Sequence, residues 1–372
     1  MDVINLLKQL ISCRSLTPAD AGSLDLISAL LANSGFTVQR LPAGDVDNLW
    51  AYKGGETRLI FAGHVDVVPT GELSQWRYDP FTPTEEDGHL FGRGAADMKS
   101  GVAAMVVAAM NHPRDGVGVF LTSDEEGVAQ YGTRHFTEWW QQQGKEPIPY
   151  AVVGEPSCEQ ILGDAIKIGR RGSLTGHVQI HGKQGHAAYA HHVDNPIHRL
   201  LAGFAPLAPH WHDNIAAQAR GEMVTTFQVV DLQSGVGADN VTPPTANAVL
   251  NFRYAAPDTA ASLKTKVSEC LTHAAANAWE CEWEHSAEPY CLPADSRLVH
   301  AMQKIVQTHT GQAPRLTTSG GVSDGRFLRH ICSQVAEFGV LNSSIHAANE
   351  NVKISDVRKL SDIYSALILD LV

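Results

Sequence analysis

Hydrophobic and polar positions follow one rhythm over the first 171 residues, another to about residue 288, and the first again to the end. Val3, Leu6, Leu7 and Leu10 share one face of an amphipathic helix, broken by Asp2, Asn5, Lys8 and Gln9. Leu24, Ile27, Leu30 and Leu31 repeat the helical period and stop at Gly35. Phe36–Val38 restarts as a strand, with Asn48–Ala51 as its hairpin partner. Leu59–Gly63 is an apolar strand-like run that delivers His64 and, two residues on, Asp66. Residues 70–90 read as turns, and Gly92–Asp97 opens a helix from about Met98 to Met110. Val117–Leu121 has the composition of a buried strand, a Trp-containing helix follows over about 132–143, and Tyr150–Val153 is the next strand. Strands alternating with helices predict an α/β sheet.

Near residue 172 the alternation becomes that of half-buried strands. The pattern predicts strands at Leu174–Ile180, Val224–Leu232, Ala246–Tyr254 and Trp279–His285, with helices over Asn195–Leu207 and Pro257–Asn277. That order, β-α-β-β-α-β, is that of a ferredoxin-like unit. A helix at Ser296–Thr308, a glycine-rich turn at 319–325, a strand at Gln334–Phe338 and a final helix from Ile354 return to the first style. The expected organisation is a catalytic domain of residues 1–171 and 289–372, with an inserted domain at 172–288.

Composition narrows the function classes. The chain has 372 residues, enough for two domains, and a net charge of −12, which argues against nucleic acid or an anionic membrane as partner. No apolar run is long enough to span a bilayer. The first helix is neither a basic n-region nor a signal h-region, so the expectation is a cytoplasmic protein. Cys13, Cys158, Cys270, Cys281, Cys291 and Cys332 lack paired spacing and are expected as free thiols.

Five segments place a metal-capable side chain just beyond a predicted strand or at a helix start: His64, Asp97, Glu125 with Glu126, Glu155 and His346. Two histidines with carboxylates and no thiolate suit zinc, or cobalt or manganese, in a site open to substrate. Two cations would share one carboxylate, with Asp97 as the bridge. Imidazole ligands are usually oriented by a carboxylate, and His-x-Asp offers Asp66 for that task. Asp124-Glu125-Glu126 alone also fits a solvated acidic turn. The apolar strand before it and Gly127 after it favour one glutamate on metal and its neighbour as general base. Lys167, Arg170, Arg171 and Arg253 are either ordinary surface cations or the lining of an anion pocket. Gly185-His186 is equally compatible with a loop tip, and Gly92-x-Gly94 lacks dinucleotide-binding spacing.

The motifs GHVDVVPTG, LFGRGAADMKSG, LTSDEEG, VVGEPS, KIGRRGS, QGHAAYAHHVDNPIHR, NFRY, SGGVSDGRF and NSSIHAANE together span nearly the whole chain. Through them the chain resembles the succinyl-diaminopimelate desuccinylase branch of the dinuclear-zinc aminoacylase and carboxypeptidase superfamily. The resemblance implies that His64 and Glu155 hold one zinc, Glu126 and His346 the other, with Asp97 between them. It implies Asp66 as the orienter of His64, Glu125 as the base, and a cis bond between Asp97 and Met98. It also implies a homodimer formed by the inserted domain, with His186 entering the partner's site to polarise the scissile carbonyl. Substrate contacts would fall at Lys167, Arg170, Ser173, Tyr189, Asp239, Asn240, Arg253, Gly321, Val322 and Asn342. Departures from the branch pattern sit at Val322, Asp239, Ile168 and Ala190, all in substrate-binding segments. The expected activity is removal of succinyl from a small N-acyl amino acid, N-succinyl-LL-2,6-diaminopimelate, in lysine and diaminopimelate synthesis. Deacylation or peptide cleavage of another substrate with the same metals, and a metal-loaded binding module without turnover, are the alternatives.

Overall fold

The computed structural model describes residues 1–210, 214–219 and 221–372. The chain forms two compact units, an α/β unit and an α+β unit inserted in its sequence. Met1–Gly169, Cys291–Thr317 and Ser323–Val372 make the first, and Arg170–Tyr290 with Thr318–Val322 the second.

The first unit is built on an eight-stranded mixed sheet. Its middle strands, in the order Val117–Thr122, Leu59–His64, Ile148–Val153 and Cys332–Glu337, run parallel. The antiparallel pair Thr37–Arg40 and Asn48–Tyr52 flanks them on one side. Leu59–His64 and Val117–Thr122 are buried at every position. Helices cover both faces of such strands, which is why they read as unbroken apolar runs rather than alternating ones. Ser100–Asn111 is buried from Ser100 to Ala109 and packs against Val3–Ser12 and Ile354–Leu371. Aromatic rings group around the helix Thr133–Gln142, with Phe120 stacked on Phe136 at 4.0 Å and Trp50 5.3 Å from Phe136. Lys99 is fully buried, and its Nζ donates to the carbonyls of Leu10 (2.8 Å) and Cys13 (2.9 Å) at the end of the first helix. That satisfies carbonyls a helix end leaves open. Burial lowers its ammonium to about 8.

Two details differ from the sequence pattern. Residues 70–90, expected as turns, contain strands Thr84–Glu86 and His89–Phe91, and the second pairs with Asn351–Lys353. Three-residue strands are too short to show a period. The helix expected from Met98 becomes regular only at Ser100, after an irregular turn over Ala95–Lys99 in which Asp97 is extended (φ −118°, ψ 101°). The Asp97–Met98 bond is cis.

The main sheet of the second unit is antiparallel, in the order Thr226–Ser234, Thr245–Tyr254, Gly172–His181 and Trp279–Ala287. Every second residue of Thr245–Tyr254 is buried. One face of this sheet packs on helices Pro196–Phe204 and Ala260–Ala275 through Leu200, Leu263, Val267 and Leu271, the ferredoxin-like order of elements. Thr318–Val322 groups with this unit, where Arg170 Nη1 donates to the carbonyls of Ser319 (3.2 Å) and Gly321 (3.0 Å).

Candidate metal centre

Three adjacent parallel strands end side by side in the first unit, and chemistry gathers at such carboxyl ends. The central one ends on His64. Its neighbour Val117–Thr122 leads into the turn carrying Glu125 and Glu126, and Ile148–Val153 on the other side leads to Glu155. The ends are pinned together: Val65 N donates to Thr122 O (2.9 Å) and Gly154 N to Ala62 O (3.1 Å). The helix bearing Gly101 approaches so closely that an added Cβ would lie 2.2 Å from Gly154 O. Only glycine permits that approach.

The acidic triplet divides its labour. Asp124 accepts from the amides of Ala129 (3.1 Å), Gln130 (2.8 Å) and Tyr131 (2.9 Å), so its carboxylate shapes the loop. Glu125 and Glu126 turn inward, their amides donating to the Asp66 carboxylate at 3.4 and 3.1 Å. His64 Nδ1 lies 2.9 Å from the main-chain carbonyl of Asp66 and 3.5 Å from its carboxylate. The main-chain oxygen, rather than the expected carboxylate, is the closer hold on the ring.

With Nδ1 held, His64 Nε2 faces Asp97 Oδ1 (3.3 Å), Glu155 Oε1 (3.8 Å) and Glu125 Oε2 (4.0 Å). His346 Nε2 faces Glu126 Oε1 (3.0 Å) and Asp97 Oδ2 (3.4 Å). Asp97 therefore turns one oxygen to each histidine. Candidate ligand atoms fall into three groups, each within 4.8 Å: His64 with Asp97 and Glu155, His64 with Glu125 and Glu126, and Asp97 with Glu126 and His346. His64 Nε2 and Asp97 Oδ1 are buried without a hydrogen-bond partner, although they point at each other. Buried polar atoms are rarely left so, and a cation between them would satisfy both. The residues fit a pair of divalent cations.

Residues 60–370 match the model of peptidase family M20/M25/M40. The chain belongs to this family. A relative from Nitrosomonas eutropha, named succinyl-diaminopimelate desuccinylase, is 45% identical over 369 residues, covering 97% of this chain and 96% of its own. The fold is also that of an M20 metallo-carboxypeptidase, Sso-CP2 from Sulfolobus solfataricus (TM-score 0.77, 19% identity, 100% and 99% of the two chains). The Bacillus subtilis YXEP protein, described as a dinuclear metal-binding peptidase of the family, matches with TM-score 0.71 at 14% identity over 100% and 98% of the chains.

Electrostatics of this M20 centre follow from crowding. Burial would lower the His64 pKa, but Asp97, Asp66, Glu125 and Glu155 outweigh it and hold the imidazole well above its usual value. Asp97 and Glu126 raise His346 to about 10. Burial would raise Asp97, yet His346 and His64 hold it well below the carboxylate range. Burial and then the Glu155 charge push Glu125 well above its ordinary value.

Of the expected substrate residues, Lys167 and Asn342 lie on this unit, and the others lie on the second. There the structure brings them together in pairs. Ser173 is opposite Arg253 in the sheet, Arg170 binds the Gly321 carbonyl, and Val322 follows directly. His186 pairs with Val241, and Ala187 N donates to Asn240 O (2.8 Å), with Asp239 beside it. Tyr189 is exposed, its ring 5.6 Å from that of His186.

Sequence reasoning missed Arg93 and Glu350, both fully buried beside the ligand loops. Both stand inside motifs already quoted, but their partners are main-chain groups more than 250 residues away in the case of Glu350. No spacing reveals that. Asp324 was also missed; its carboxylate accepts from Thr133 (2.6 Å), and burial raises its pKa to about 6.

Proposed function

We propose that the protein is a two-metal amide hydrolase that removes succinate from N-succinyl-LL-2,6-diaminopimelate in lysine and diaminopimelate synthesis. The observation that carries the chemistry is Asp97 facing both histidines, with Glu125 Oε2 4.0 Å from His64 Nε2. The substrate assignment rests on the likeness to the desuccinylases. In this reading His64 and Glu155 hold one zinc, Glu126 and His346 the other, and Asp97 both; cobalt or manganese would substitute. Bound cations supply Lewis acidity, polarising the amide carbonyl and lowering the pKa of water. Glu125 takes the proton from the attacking water and delivers it to the leaving nitrogen, a transfer suited to a carboxyl whose pKa is raised. Asp66 fixes the backbone of both glutamates and, through its carbonyl, the ring of His64.

A succinylated diamino acid presents several carboxylates, so its pocket needs fixed cations. Lys167, Arg170 and Arg253 would supply them, with Ser173, Tyr189, Asn240, Gly321 and Asn342 as polar contacts. Val322 and Asp239 work the other way, one lacking a hydroxyl and the other adding a charge. They favour, as a second reading, deacylation or peptide cleavage of another N-acyl amino acid. A panel of N-succinyl-diaminopimelate, N-acetyl amino acids and unblocked peptides on zinc-loaded enzyme separates the two. The expected result is cleavage of the succinylated compound, with kcat/KM improved in Val322→Thr/Asp239→Asn. A regained hydrogen bond to a charged group is worth about 1.5–3 kcal/mol, roughly 10- to 150-fold. Fast cleavage of acetylated or peptide substrates with the succinyl compound untouched would reverse the assignment.

The enzyme is proposed to be a cytoplasmic homodimer. Among the described residues no helix is long and apolar enough to cross a membrane, and all six cysteines are free. Thr226–Ser234 is an edge strand that exposes Val229, Val230 and Leu232, and an apolar sheet edge is a template for a second copy. In such a dimer the partner subunit's His186 would polarise the scissile carbonyl. Mixing inactive Glu125→Gln with inactive His186→Ala subunits should then restore part of the activity. No recovery after proven subunit exchange would exclude a role in trans.

A further inference from the structure

Arg93 and Glu350 form an ion pair at 2.8 Å, each 1% exposed, next to the candidate ligands. Burying such a pair is costly unless its remaining hydrogen-bonding capacity is used. Here most of it is used on the ligand loops, although Arg93 Nε is buried without a partner. Glu350 Oε1 accepts from the amides of Ala96 and Asp97, both at 2.9 Å, and Oε2 from Gly94 at 2.8 Å. Four donors on two carboxylate oxygens fix the backbone that presents Asp97. Arg93 Nη1 also donates to Ala347 O (3.2 Å), the residue after His346, and Nη2 to Pro69 O (3.2 Å), in the loop that follows His64. Its guanidinium lies over the Trp76 ring at 5.0 Å. His346 itself has φ +58°, a sparsely populated backbone state for a residue with a side chain. Such a conformation persists only when its surroundings hold it.

We infer that Arg93 and Glu350 are positioning residues for the metal centre: one buried pair holds the Asp97 turn, the His346 loop and the His64 loop in a single arrangement. This rests on the two-metal reading. Among the described residues neither belongs to a candidate ligand group; the pair acts through the main chain of the ligands. Outer partners of this kind typically carry about 10- to 100-fold in metal affinity.

The test is zinc affinity by chelator competition on the full-length protein, with thermal melting of the metal-free protein alongside. Glu350→Gln keeps the shape but replaces one acceptor oxygen by a donor facing amide N–H groups. Arg93→Lys keeps the charge but loses the fork that reaches Ala347 and Pro69. Both variants should bind zinc roughly 10- to 100-fold more weakly, and excess zinc should restore kcat while KM stays unchanged. Phe136→Leu is the control, a core change on the ring stacked with Phe120. It should lower the melting temperature without moving zinc affinity. If Glu350→Gln does not fold, Arg93→Lys decides the matter alone. Wild-type zinc affinity in the variants, or a loss no greater than in Phe136→Leu at equal loss of melting temperature, overturns the inference. Fewer than two ions on the wild-type protein would instead overturn the two-metal reading beneath it.

Discussion

Glu125→Gln should retain both metals and lose about 10²- to 10⁴-fold in turnover, the usual worth of a positioned general base. The substitution keeps size and one acceptor oxygen. The backbone should not move, because the Asp66 carboxylate holds the Glu125 amide and not its side chain. What disappears is the capacity to take a proton. Metal analysis beside steady-state kinetics makes the result decisive, since Glu125 also lies within ligand distance of His64 and Glu126. Loss of one metal equivalent would make Glu125 a ligand, and near-normal turnover would place the base elsewhere. The metal-free protein gives a second readout. Burial raises the Glu125 pKa, so the folded state holds its proton more tightly than the unfolded chain does. The Glu125 contribution to stability is therefore complete below the unfolded value and falls as pH rises through the folded one. A glutamine cannot titrate, so the variant should lose less metal-free stability over that range.

The two architectures were legible because their burial differs. Strands covered on both faces, such as Leu59–His64, appear as continuous apolar runs, whereas Thr245–Tyr254, covered on one face, alternates. The candidate ligands were legible for a related reason: each is a polar residue beyond a predicted strand or at a helix start, where the chain leaves an apolar element. The rest had no local pattern to show. Asp124 resembles Glu125 and Glu126 in sequence, and only the fold shows that it serves three loop amides. Asp66 appeared as a carboxylate partner for His64, but its main-chain oxygen makes the closer contact and its carboxylate serves Glu125 and Glu126. Glu350 reaches its backbone partners only because Asn351–Lys353 pairs with His89–Phe91, strands of three residues each. The departures at Val322 and Asp239 were visible in the sequence, yet their effect depends on a substrate pocket that no periodicity describes.

Stripping the metals should destabilise the protein in a pH-dependent way. In the metal-free cluster, His346 is raised to about 10 by Asp97 and Glu126, and His64 lies well above its usual value among four carboxylates. Both rings must lose their protons to act as ligands, so metal uptake should release protons. Histidines with raised folded pKa values stabilise the metal-free fold fully below the unfolded value of about 6.5. That contribution drains away as pH rises toward the folded values. Cations do not titrate, so the gap between loaded and stripped protein should widen from pH 6.5 to pH 9. At zinc a thousandfold above its dissociation constant the gain is about 4 kcal/mol, about 5 °C in melting temperature for a chain of 372 residues. The measurements are melting of stripped and reloaded protein across that range, and calorimetry in two buffers of different ionisation enthalpy to count the protons. Reloading should restore two ions per chain. Zinc uptake without proton release, together with a stabilisation independent of pH, would mean that the histidines facing Asp97 are not the groups that meet the metal.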